Sequence, residues 1–128
     1  MPREATRKRR TPQEIRDASI TEKELQAAIR GWAEDLGWKV AVTWSSINSP
    51  KGWPDLFMVR PLPQIAAGFP HPHAEAIAIE CKTQTGKVSP EQIAWLDLLR
   101  RLPGVVFADV IRPSDWYAGT LDEYLTAG

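Results

Sequence analysis

The chain has a single cysteine, Cys81, in 128 residues. That excludes an internal disulfide framework and a zinc cluster built on cysteines. Its two histidines, His71 and His73, flank Pro72, and a lone His-Pro-His gives them no assigned role. No run approaches the roughly 18–20 apolar residues that a membrane span needs. The N-terminus is charged without an apolar segment behind it, so no secretory signal is expected. A soluble, cytoplasmic protein is the expectation. Net charge is also lacking: the formal sum is zero, so composition alone names no acidic partner.

The distribution of charge says more than its total. Residues 1–10 hold Arg3, Arg7, Lys8, Arg9 and Arg10 against Glu4, and the rest of the chain carries the compensating negative surplus. A basic arm on a mildly acidic body suits a nucleic-acid contact through Arg9 and Arg10. A solvated tail explains it equally well. Residues 1–20 show no sustained apolar period and are expected to be a flexible arm, with one domain over 21–128. A hydrophobic content of 43% is enough for a single core.

Helical and extended patterns alternate after that arm. Thr21 with Glu24 makes a capping box, and Leu25, Ile29, Trp32, Ala33 and Leu36 follow at helical spacing, predicting a helix over 22–36. Strands are expected over 38–44, 56–59, 75–81 and 105–111. Between 60 and 73 four prolines mark a surface loop. Ser89-Pro90-Glu91-Gln92 starts a second helix, with Ser at the N-cap, Pro at the first helical position and Gln completing the box. Ser114 is the expected cap of a short last helix carrying Trp116, Leu121 and Leu125. The order α-β-β-β-α-β-α gives an α/β fold, a mixed sheet of about four strands flanked by helices. Trp32, Trp95 and Trp116 fall on apolar faces and read as core.

Two stretches carry the chemistry. Gly52-Trp53-Pro54-Asp55-Leu56-Phe57 puts an aspartate at a strand mouth, and Ile79-Glu80-Cys81-Lys82 ends an apolar strand. Residues two apart on a strand share a face, so Glu80 and Lys82 point one way and Cys81 the other. Two carboxylates and an ammonium in one place make a poor core and a good site for a hard cation such as Mg²⁺ or Mn²⁺. Each residue also has a plainer reading. Asp55 could cap a turn. Glu80 could pair with Lys82, since an unpaired carboxylate among apolar neighbours is costly.

With these stretches in order, Glu22-Lys23-Glu24-Leu25-Gln26 before them and Gly86-Lys87-Val88-Ser89-Pro90-Glu91-Gln92 after, the chain resembles the VRR-NUC family of the PD-(D/E)XK nuclease superfamily. It looks most like the small stand-alone, phage-type members, and the resemblance spans about Thr21 to Leu125. It implies a restriction-endonuclease-like core and a metal-dependent, structure-selective DNA endonuclease. Small members look like Holliday-junction resolvases acting as homodimers, and the implied setting is a prokaryotic or phage-infected cell. The implied site has Asp55, Glu80 and the Cys81 backbone carbonyl holding Mg²⁺ or Mn²⁺, with Glu22 assisting. The choice of Glu22 over Glu24 follows its place three before Leu25 and four before Gln26; an ordinary first-turn glutamate is the plainer reading. Lys82 would orient the attacking water or steady charge at phosphorus.

The resemblance puts Gln92 near the scissile phosphate, although the capping box alone would explain it. Lys87 beside a helix N-terminus would meet a phosphate or simply face solvent. Ser45, Ser46, Asn48 and Lys51 are candidates for DNA-backbone contacts. Trp44 and Trp53 could stack on unpaired bases, although packing is the simpler use. An apolar face of Trp116, Tyr117, Leu121 and Tyr124 is the expected dimer surface. A non-catalytic nucleic-acid-binding module that has kept this fold is the competing reading.

Overall fold

The structure is a computed structural model describing residues 9–43, 48–62 and 73–126. Among the candidates above, Ser45, Ser46, Trp44 and His71 lie outside the described residues. The elements run α1 (Pro12–Ser19), α2 (Glu22–Asp35), β1 (Lys39–Val42), β2 (Leu56–Pro61), β3 (Ala74–Cys81), α3 (Pro90–Arg100), β4 (Val105–Ile111), α4 (Pro113–Tyr117) and α5 (Asp122–Thr126).

The four strands form one mixed sheet in the order β1-β2-β3-β4. β1 and β2 are antiparallel, as are β2 and β3. β3 and β4 are parallel. Chain direction forces that last arrangement to use a crossover, which α3 supplies. The sheet buries both faces. Leu25, Ile29 and Ala33 of α2 lie against Leu56, Met58, Ile77, Ile79 and Cys81 on one side, closed off by Leu121 and Leu125. On the other side Leu96 and Leu99 of α3 pack on Ala78 and Ala108. Alternation along β3 therefore serves two cores.

The helix starts follow the capping chemistry read from sequence. Thr21 accepts from the Glu24 N–H while Glu24 returns the bond to the Thr21 N–H. Ser89 and Gln92 do the same. Gly37, at φ +94°, ends α2 as only glycine does without strain.

Three expectations need correction. Residues 12–19, expected within a flexible arm, form a helix. Thr11 caps it reciprocally with Glu14, and Pro12 occupies its first turn. It docks through a charged surface: Asp17 is buried beside Arg16, and the Arg16 guanidinium lies 3.7 Å from the Tyr117 ring centre. The last helix does not start at Ser114. Arg112 occupies the N-cap position and Pro113 the first turn, and the chain breaks at Gly119 into α4 and α5. Third, the supposed dimer face mostly turns inward. Leu121 is fully buried, Trp116 and Tyr124 pack on the core, and Tyr117 lies under Arg16.

Arg60 holds the C-terminal end of the fold to the sheet. It bonds Glu75 Oε1 at 2.7 Å, donates to the Leu125 carbonyl at 2.9 Å and stacks on Trp38, whose indole N–H reaches the same carbonyl at 3.0 Å. Glu75 is buried, so removing its carboxylate takes the countercharge away from a guanidinium that is itself mostly buried. Glu75→Ala should lower the free energy of unfolding by roughly 3 kcal/mol in urea titrations, with α5 the first element to lose hydrogen-exchange protection.

Candidate active site

The register of β2 and β3 decides the geometry. Leu56 is paired with Ile79. One further antiparallel step sets Asp55 opposite Glu80, where side chains on one face approach within about 5 Å at Cβ. The Asp55 carboxyl lies close enough to Glu80 to act on its pKa. Its Oδ2 also accepts the Cys81 N–H at 2.8 Å. The strand mouth is thus tied to β3 by the aspartate itself, which is more than a turn cap would do.

Glu80 is buried, at 3% exposure. Burial first, then the hydrogen bond and charge of Asp55, push its carboxyl up to about 9; Lys82 pulls it down and Glu22 pushes it further up. Burial, Asp55, Glu80 and Glu22 likewise raise the Cys81 thiol, so Cys81 is a neutral core residue. Glu22 is therefore within electrostatic reach of the pair from the first turn of α2. Glu24 is not among those influences; it is exposed, and its capping bonds lower its pKa.

Gln92 serves two purposes. Its Oε1 caps α3, and its Nε2 donates to Glu80 Oε2 at 3.1 Å. Capping thus fixes the amide that orients the glutamate. Lys82 is half-buried, and among the described residues it makes no ion pair with Glu80; the plainer reading of a Glu80–Lys82 salt bridge is not realised. Lys51, Asn48, Lys87, Arg9 and Arg10 are all exposed and stand apart from the hydrogen bonds around Glu80. Lys51 lies 3.9 Å from Glu91. Arg10 borders a cleft of about 410 Å³ that it shares with Glu14, Asp17, Thr83 and Thr85.

Among the described residues no three Asp, Glu, His or Cys side chains form a finished metal cluster. The donor set nevertheless fits a hard cation. Asp55 and Glu80 are oxygen donors, their mutual repulsion is met by a proton when no cation is present, and Glu22 adds negative potential.

The loop bearing Asp55 is seated on α3. Gly52 has φ +88°, and a Cβ there would stand 2.5 Å from the Glu91 backbone carbon. Trp95 donates to the Lys51 carbonyl at 3.1 Å, and Trp53 packs between Phe57 and Trp95. Trp53 is thus a packing residue. Sequence reasoning missed two things here. The Gly52–Glu91 contact is one; its only signal was a glycine before Trp-Pro-Asp. The other is the second bond of Gln92.

Two outcomes follow. Gly52→Ala should cost more than about 1 kcal/mol of stability, because the side chain is both strained and obstructed; urea titration would show it. The pH dependence has a definite sign. A carboxyl with a raised folded-state pKa favours the fold below its unfolded value near 4.5, and that contribution fades as pH climbs towards 9. In EDTA, unfolding free energy should decline between about pH 5 and 9. Glu80→Gln should flatten that decline, as should added Mg²⁺ or Mn²⁺.

The model of the VRR-NUC domain matches residues 3–110, which takes in α1 as well as the sheet and α3. No curated protein and no solved structure matches the chain significantly. The matched span covers most of the sequence, and Glu22, Asp55, Glu80, Lys82 and Gln92 all fall within it. On that span the chain belongs to the VRR-NUC family, a nuclease-type domain of the PD-(D/E)XK superfamily.

Proposed function

We propose that the protein is a divalent-metal-dependent endonuclease that hydrolyses phosphodiester bonds of branched DNA, Holliday junctions among them. The observation that supports this reading is the placement of Asp55, just before β2, beside Glu80 of β3, with Gln92 donating to Glu80. Nothing in core packing calls for two opposed carboxylates there, and like charges across a sheet destabilise it.

Asp55 and Glu80 would hold the cation, with the Cys81 carbonyl and Glu22 as further oxygen donors. When bound, Mg²⁺ or Mn²⁺ supplies a Lewis acid for the phosphoryl oxygen and makes a water more acidic. Gln92 keeps one Glu80 oxygen oriented. Lys82 orients the attacking water or offsets negative charge gathering at phosphorus. Attack by the water oxygen breaks one bridging P–O bond; the water gives up a proton and the leaving oxygen takes one up. Lys87 and Lys51 would contact flanking phosphates, as would Asn48, Ser45, Ser46, Arg9 and Arg10. A homodimer would bring one such site to each of two strands.

The competing reading is a nucleic-acid-binding module that has kept this fold. One assay divides the two. Labelled four-way junction, flap, splayed arm and plain duplex are incubated with the protein in Mg²⁺, Mn²⁺ or EDTA. The nuclease reading expects metal-dependent products, most from branched substrates. Asp55→Ala and Glu80→Gln should lower cleavage at least about 1,000-fold while leaving DNA binding within a few-fold. Binding without products in either metal would establish the module instead, and products from a rigorously purified Asp55→Ala protein would sink the site assignment.

A further inference from the structure

The geometry points to Arg112 as a positioning residue for the cleavage site, an inference that rests on the nuclease reading above. Pairing at the end of the sheet sets the stage. Cys81 is aligned with Ile111, and the Lys82 N–H donates to the Ile111 carbonyl at 3.1 Å. Arg112 therefore leaves the sheet beside Lys82. Its guanidinium Nη1 donates to the carbonyls of Thr83 and Gly86, each at 2.8 Å, and reaches that of Gln84 at 3.4 Å. These carbonyls belong to one tight turn, closed by the Gly86 N–H on Thr83 O at 3.2 Å.

A second set of bonds holds the same turn from outside. Gln84 Nε2 donates to Ser114 Oγ at 2.8 Å, and the Ser114 N–H returns a bond to Gln84 Oε1 at 3.1 Å. The Arg112 backbone is fixed in turn by its N–H on Asp115 Oδ2 at 2.9 Å. The start of α4 thus acts as a clamp on residues 83–86.

The clamped turn sits between groups that matter. Before it is Lys82, whose Cδ lies 3.6 Å from where a Gly86 Cβ would stand, so the turn packs on the lysine stem. After it come Lys87 and the Ser89 capping box, which fixes Gln92 against Glu80. An exposed turn left to itself samples several geometries. Here one nitrogen of a planar, permanently charged guanidinium, Nη1, meets two carbonyls at 2.8 Å and lies 3.4 Å from a third; a lysine ammonium on a flexible stem keeps the charge but not the planar, fixed direction of the donors. Arg112 touches no reacting atom; it sets where Lys82 and the first turn of α3 stand.

The test uses the full chain with Arg112→Met, Arg112→Lys and Gln84→Ala. Four quantities are read: single-turnover cleavage of the junction in Mg²⁺, junction affinity in Ca²⁺, melting temperature, and hydrogen exchange across residues 83–88. Arg112→Met should slow cleavage by roughly 100-fold, the scale of a misplacement of about 1 Å, with affinity changed less than about threefold and faster exchange confined to the turn. Arg112→Lys should recover part of the rate, and Gln84→Ala should lose about tenfold. Cleavage at the unsubstituted rate by Arg112→Met overturns the inference. So does a loss that Arg112→Lys fails to relieve and that merely follows melting temperature. Should Arg112→Met fail to fold, full activity in both Arg112→Lys and Gln84→Ala overturns it equally. If the unsubstituted protein cuts nothing, the nuclease reading falls first and takes this one with it.

Discussion

Two carboxylates facing each other across one antiparallel rung are the constraint around which this molecule is built. Glu80 is buried and Asp55 half-buried, and their carboxylates repel each other when both are charged. The surroundings relieve that in part. The Cys81 N–H donates to Asp55, the Gln92 amide donates to Glu80, and Lys82 adds a positive charge. What remains is a surplus of negative charge, expressed in the raised pKa of Glu80. The same repulsion works against the fold whenever both groups are charged.

The rest of the fold brings partners to that rung. The mouth of β2 and the C-terminal ends of β1, β3 and β4 lie at one end of the sheet. Glu22 in α2 and Gln92 in α3 both stand in the first turn of a helix whose capping box closes the turn. These helices lie on opposite faces of the sheet, so the rung is approached from two sides. Local capping, worth about 1 kcal/mol per helix, thereby fixes the position of side chains that carry charge and hydrogen bonds at the site.

Much of this was legible in the sequence, and the reasons differ from place to place. Helices α2 and α3 announce themselves through reciprocal caps and apolar residues at helical spacing. Asp55 and Glu80 stand out because acidic residues interrupt strands that are otherwise apolar. Helix α1 was hidden although Thr11, Pro12 and Glu14 form as good a start signal as the others. It has no apolar stripe: its one large apolar residue, Ile15, is exposed, and it docks through Arg16 and Asp17. Arg112 was hidden for another reason. Its partners lie 26 to 29 positions away and are backbone carbonyls, which no side-chain pattern reveals. The supposed dimer face was misread because a short amphipathic helix does not say which side faces home until α1 and the core are in place.

The alternation of β3 has a consequence for how this protein tolerates change. Odd positions Ile77, Ile79 and Cys81 belong to the α2 core, while Ala78 belongs to the α3 side and Glu80 faces Asp55 and Gln92. Parity along one strand therefore encodes both where oil is buried and where charge is displayed. Deleting a single residue inside β3 would exchange the two sets, driving a carboxylate into the leucine layer and offering a thiol to Asp55. Lengthening the connection that precedes the strand would leave parity intact. Length variation should then gather between β2 and β3, and an indel within β3 should abolish folding and chemistry in one stroke.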